Sequence, residues 1–248
     1  MAQRAASVPR LAFSVVLVGA LGLAACAPAP APSGVNDPYE QNNRRTHTLN
    51  LAIDTNIVRP LAQSTSKIIP KPVSKGITNF ANNLGVPGEV VNDLLQVRLD
   101  RAAQNTLRFV FNTTIGIGGL FDPATAMGLA EKPTDFGETL AVWGVSEGNY
   151  MELPVLGPST ERDAAGKVVD LILDPTWLFI PKAQRWVGTA SSVIAKIDER
   201  GRYSETYDSI LYGSADSYAQ ARLLYLEHRR YNLGQTAATS DFEDPYAK

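Results

Sequence analysis

A single cysteine, Cys26, stands in a chain of 248 residues, so no internal disulfide can form. Histidine is nearly as scarce. His47 and His228 are far apart, and with one cysteine they outline no His/Cys metal cluster. Nucleotide loops are missing too. Gly116-Ile117-Gly118-Gly119 fails to complete G-x-G-x-x-G because position 121 is Phe, and no G-x-x-x-x-G-K-[ST] occurs. No cofactor is therefore expected, nor any means of using ATP. Basic charge gives no excess either: 23 Lys and Arg face 25 Asp and Glu, which argues against nucleic acid as a partner. No convincing period-two alternation marks a strand, and no apolar run reaches the ~20 residues needed to span a bilayer.

One motif is present but misplaced. Gly144-Val145-Ser146-Glu147-Gly148 matches G-x-S-x-G, the nucleophile elbow, which needs a strand before it and a helix after it. Pro154, Gly157 and Pro158 follow closely and read as loop chemistry, and His228 is the one downstream histidine. A Gly-bounded turn is the better reading of Ser146, and no enzyme activity is expected.

What is there begins with an export leader. Arg4 and Arg10 precede the apolar residues 11–25, which are too few to cross a bilayer. The run ends in Leu23-Ala24-Ala25-Cys26, which resembles the lipobox of bacterial lipoproteins, with Cys26 as the residue to be acylated. Two or three acyl chains hold firmly where one holds marginally, at about 0.8 kcal/mol per buried methylene. Position 27 is Ala, not the Asp that resembles an inner-membrane retention signal, so the outer membrane is expected. Residues 27–35 alternate Ala and Pro and form a short extended tether. Without Arg4 and Arg10 the body is mildly acidic.

About 223 residues remain after cleavage, enough for one large domain. Helical periodicity predicts segments at 39–58, 73–82, 162–173, 182–199 and 215–231. A further helix is expected to open at Val86-Pro87-Gly88, with Val91, Leu95, Leu99, Ala102 and Ala103 on one face. Prolines, Pro60, Pro70, Pro72 and Pro87 among them, are expected to mark ends and bends, because one inside a helix costs about 3 kcal/mol. The expectation is all-α, with many short helices at varied angles. Residues 107–121 and 171–180 are apolar; they suit a buried core or burial in the plane of a leaflet.

Four stretches in order give the chain a family likeness. They are Asp37-Pro38-Tyr39-Glu40 with Asn43-Arg44 and Ile57-Val58-Arg59-Pro60; Arg108-Phe109, Asn112-Thr113, Gly116, Gly118-Gly119 and Asp122; Asp135-Phe136-Gly137-Glu138-Thr139-Leu140 through Gly157-Pro158-Ser159-Thr160 to Arg162-Asp163; and Asp216, Tyr218, Arg222, Tyr225 and Arg229. From about residue 36 to 232 the chain resembles the VacJ/MlaA family of outer-membrane phospholipid-trafficking lipoproteins. Asn42 and Asn149 depart from the family's usual residues. The chain thus divides into an expected leader at 1–25, an acylated tether at 26–35 and a polar flexible tail at 233–248, around a helical domain at 36–232 that the resemblance covers. The resemblance implies a ring-shaped domain embedded in the periplasmic leaflet, with a central amphipathic channel. Misplaced outer-leaflet phospholipids would pass through it to a soluble periplasmic carrier, beside a trimeric porin. A structural porin- or envelope-associated lipoprotein without transport is the alternative. Arg44, Arg59, Arg108 and Arg162 are candidate phosphate partners because guanidinium presents a fork of donors, each with a helix end or carboxylate as the bland alternative. Asn112, Gly116, Gly118 and Gly119 would form a hairpin, either a turn requiring positive φ or a hinge beside the channel.

Overall fold

The computed structural model describes residues 34–235; the leader, Cys26, most of the tether and the tail from 236 lie outside them. Helices dominate. α1 (Glu40–Ile53) runs through a π-helical turn (Asp54–Val58) into α2 (Arg59–Ile68). The wide turn stands just ahead of Pro60, whose missing N–H disturbs the regular hydrogen-bond ladder there. The expected helix at 39–58 is therefore continuous with the next one.

α3 (Lys71–Leu95) differs more from expectation. Pro87 lies inside it, so one 25-residue helix replaces the two segments expected on either side. Neighbours on two sides explain its persistence: α3 packs against both α4 (Leu99–Thr114) and α9 (Arg185–Arg202). Tertiary packing thus outweighs one lost backbone bond. The face expected to join Val91 to Ala103 is broken instead at Val97, which has φ +59°. The Arg98 N–H reaches the Asp93 carbonyl and closes the turn. α4 then folds back antiparallel, pairing Asn105 with Asp93 and Asn83 with Thr113.

α5 (Pro123–Ala126) and α6 (Phe136–Val142) are short and capped by Asp122 and Asp135. A two-stranded hairpin follows, β1 (Tyr150–Leu153) and β2 (Gly157–Thr160), with Tyr150 opposite Thr160. Sequence reading expected no strand; four-residue strands with Pro158 in the second are too short for alternation to show. α7 (Glu161–Leu173) starts on its Thr160 cap. α8 (Thr176–Phe179) and a 3-10 turn (Lys182–Gln184) lead to α9, then α10 (Ser204–Leu211) and α11 (Ser217–Asn232). Residues 233–235 close the end of α11 through Gly234 and Gln235 N–H bonds.

The interior is unusually polar. Among the described residues, buried polar and charged side chains outnumber buried apolar ones about two to one, and half of the apolar ones are alanines. The packed apolar cluster is small: Tyr150, Tyr218 and Leu226, with Tyr225 against it. α4 states the inversion in one helix. Asn105, Arg108 and Asn112 face inward, while Leu107 and Val110 are exposed.

Candidate functional site

Both apolar segments flagged in the sequence contribute to the apolar surface. Leu107, Val110, Ile115, Ile117, Leu120 and Phe121 are exposed on α4 and the turn after it. So are Val168, Leu171, Ile172 and Leu173 on α7, with Leu178 and Trp186 beyond, Leu178 at 83%. Neither segment is core. Scattered exposed leucines are ordinary, whereas contiguous patches mark an apolar medium or partner. Among the described residues no helix is long and apolar enough to cross a membrane.

Two larger cavities flank α3. One, of about 520 Å³, lies between α3 and the α8–α9 segment. Ala81, Leu84, Leu171, Ile180 and Trp186 give it an apolar wall; Asp174, Thr176, Arg185, Thr189 and Ser192 give it a polar one. The other, about 510 Å³, lies between the start of α3 and the glycine turn, lined by Val73, Ile77, Leu120 and Phe121 with Lys75 and Asp122. A smaller one of about 290 Å³, nearly all apolar, continues the α3–α9 seam at Ile77, Ile194 and Ile197. A mixed lining of this kind suits an amphipath.

All four sequence-predicted arginines hold carboxylates. Arg44 also meets Glu40 and forks onto Asp216 at 3.0 and 2.8 Å, and this fork, with the Ala219 N–H, holds the Asp216 carboxyl down to about 2. Arg59 meets Asp208 at 2.6 Å. Arg108 is buried; it donates to Thr125, the Leu129 carbonyl, Asp122 at 3.1 Å and Glu131 at 3.4 Å. Arg162 is buried too, with Asp163 at 3.4 Å, and its Nη2 has no hydrogen-bond partner. The structure does not gather the four into one site.

The glycine turn is anchored, not loose. Asn112 donates to Asp122 and accepts from the Ala124 N–H, fixing both ends. Gly118 and Gly119 have φ of +70° and +95°, so the turn needs them. Gly116 is different: its φ is ordinary, but a Cβ there would come within 2.4 Å of the Asn112 and Phe121 carbonyl oxygens. The Ser146 motif is not an elbow, since helix α6 precedes it and strand β1 follows, with Ser146 exposed. Of the arginines that pin α9 and α11, sequence reading missed Arg200 and Arg230, and named Arg222 and Arg229 in the family likeness without a role. Arg200 grips Asp54 and Asp208, Arg222 grips Asp37, Arg229 grips Asp135 and Asp163, and Arg230 grips Glu147. Their i, i+7 and i+8 spacing on α11 was the available signal. Glu89 was missed as well: burial, then Glu131 and Asp93, push its carboxyl up to about 7.

A model of the MlaA lipoprotein family matches residues 35–232. The Escherichia coli "Intermembrane phospholipid transport system lipoprotein MlaA" is 31% identical over 232 residues, 90% of this chain and 88% of that protein. Its namesake from Haemophilus influenzae is 30% identical, covering 88% of each chain. An uncharacterized Rickettsia felis protein is 34% identical over 189 residues, 76% of this chain and 74% of that one. A solved structure described as "Structural basis for maintenance of bacterial outer membrane lipid asymmetry" superposes with TM-score 0.69 at 31% identity, covering 79% of this chain and 98% of that one.

Proposed function

Because the chain belongs to the MlaA lipoprotein family, we propose that it removes misplaced phospholipids from the outer leaflet of a bacterial outer membrane and so maintains lipid asymmetry. The observation that carries this reading is the inverted distribution of polarity: ion pairs and polar side chains inside, many large apolar side chains outside. A body of this kind is suited to hydrocarbon, where an unpaired charge costs many kcal/mol and every buried charge must find its partner. With no spanning helix among the described residues, the body would lie in the plane of one leaflet. Cys26, outside the described residues, would carry the acyl anchor on the periplasmic face.

The mixed cavity along α3 and α9 supplies what a phospholipid needs in transit. Headgroup and tails want opposite surroundings, and Arg185, Thr189 and Ser192 stand across from Leu84, Leu171 and Trp186. The sequence carries no nucleotide-binding loop, and in this reading lipid would move downhill or be drawn off by a soluble periplasmic carrier. A trimeric porin beside the ring-shaped body would cover part of the apolar exterior. In this reading Arg108 and Arg162 hold the frame and do not carry phosphate, since carboxylates already occupy them.

The test uses a bacterium lacking its own copy of this gene. Expression of the chain should lower outer-leaflet phospholipid, measured by a surface-accessible headgroup label, and the detergent-extracted protein should carry phospholipid. A chain that is correctly placed, co-isolates with porin, yet leaves surface phospholipid unchanged is a scaffold and not a transporter.

A further inference from the structure

His47 looks isolated in the sequence, but folding brings two functional groups to its ring. Its Nε2 lies 3.1 Å from the Ser217 hydroxyl, and its Nδ1 lies 3.3 Å from Glu152 Oε1. The three come from α1, α11 and β1, and His47 lies more than a hundred residues from each of the other two in sequence. We infer that Ser217, His47 and Glu152 form a nucleophile–base–carboxylate triad acting on the acyl ester of a lipid.

The ring's tautomer follows from its neighbours. An ionised Glu152 can only accept, so a neutral imidazole places its proton on Nδ1 and leaves Nε2 to accept from Ser217. Glu152 is itself fixed: Tyr150 donates to Oε2 at 2.5 Å and Asn50 to Oε1 at 3.2 Å. Asn43 accepts from the Glu152 backbone N–H, and the Tyr218 ring stands edge-on to His47 at 5.6 Å. His47 and Glu152 are buried while Ser217 is half-buried, so only the nucleophile borders the outside. These are the distances and roles expected of an activated serine in a resting state.

Ser217 is also the first residue of the 16-residue helix α11, whose start is fixed by the Asp216 cap on the Ala219 N–H. The Arg44 guanidinium lies 4.6 Å from the centre of the adjacent Tyr218 ring, held there by its fork onto Asp216. An apolar substrate is indicated by the hairpin tip. Val155 and Leu156 are exposed there, and the Val155 N–H donates to Asn50 Oδ1, one turn beyond His47 on α1.

In the reaction, Ser217 Oγ bonds to the ester carbonyl carbon as its proton passes to His47 Nε2. The bond from that carbon to the alcohol oxygen then breaks, and the departing oxygen takes the proton from Nε2. Water, deprotonated by His47, releases the fatty acid from the acyl-serine and restores the hydroxyl. Ser217 and His47 are catalytic; Glu152 is a positioning residue.

The experiment treats full-length protein in detergent with a long-chain alkyl fluorophosphonate and maps the adduct by mass spectrometry. Labelling of Ser217 is expected, lost in Ser217→Ala and slowed at least ~100-fold in His47→Gln, the usual scale of general-base assistance. Glu152→Gln should slow labelling and move the acid limb of its pH profile, which a packing defect alone would not do. No adduct at Ser217 in folded wild-type protein overturns the proposal. So does an adduct that forms as fast in folded His47→Gln. Surface-phospholipid assays of Ser217→Ala report separately on transport, so the two readings can fail independently.

Discussion

Glu89 has no hydrogen-bonded or ion-paired partner in the polar seam between α3 and α4, with Glu131 and Asp93 nearby and Arg101 and Arg108 as the opposing charges. Its folded carboxyl titrates at about 7, against about 4.3 in an unfolded chain. The folded state therefore holds a proton that the unfolded state has lost, and stability falls as pH rises between those values, then levels off. Glu89→Gln should remove that fall, raising stability by roughly 1–3 kcal/mol at pH 8 and by little at pH 4. Denaturant melts of both proteins at the two pH values would show it; equal pH dependence contradicts it. Gly119 has the opposite sign. Its φ of +95° and a Cβ position 2.5 Å from the Asn83 side chain make Gly119→Ala destabilising by roughly 1–3 kcal/mol, read from thermal melts. The sequence made the glycines conspicuous and left the arginines ambiguous. Arg44 and Arg59 could be named as forked donors, but Asp216 and Asp208 lie about 150 residues away or more, and no local pattern shows such pairs.

Elements were legible where periodicity wrote them, as at 162–173 and 215–231, whereas the short helices after Asp122 and Asp135 begin on caps that the sequence reading did not use. Thr160, Asp135, Asp122 and Asp216 each accept from an N–H two or three residues into the following helix. Pro87 was misleading because its cost is local while the packing of α3 on α4 and α9 is not. The hairpin was invisible because its strands are held from outside: Asn43 bonds both the Tyr150 carbonyl and the Glu152 N–H, and Asn36 accepts from the Tyr150 N–H. Polarity misled in another way. A 3.6-residue stripe gives two faces without saying which is inside, and α4 turns its polar stripe inward. α7 allows a test of this. Leu171→Gln with Ile172→Gln should leave the fold and its stability in detergent within about 0.5 kcal/mol, as exposed substitutions do. The same pair should weaken bilayer binding. A large loss of stability in detergent would mean that this face packs against protein.

At the scale of the whole molecule, anchor and body make separate claims on the membrane. An acylated Cys26 would hold the chain at any surface, whatever the body does. The exposed faces of α4, α7 and the turn from Ile115 to Phe121 would hold the body even without it. Charge contributes little to that grip, since acidic residues slightly exceed basic ones and anionic lipid would not attract the body. A form exported through a leader that leaves no acylated cysteine, with Cys26→Ser, separates the contributions. It should still sediment with phospholipid vesicles, and high salt should not release it, because burial of apolar surface is not screened as charge is. Adding Leu171→Gln and Ile172→Gln should shift this form towards the supernatant. An unanchored body that stays monodisperse and lipid-free in water would show that its apolar faces serve a protein partner alone, and the leaflet-embedded arrangement would have to be abandoned.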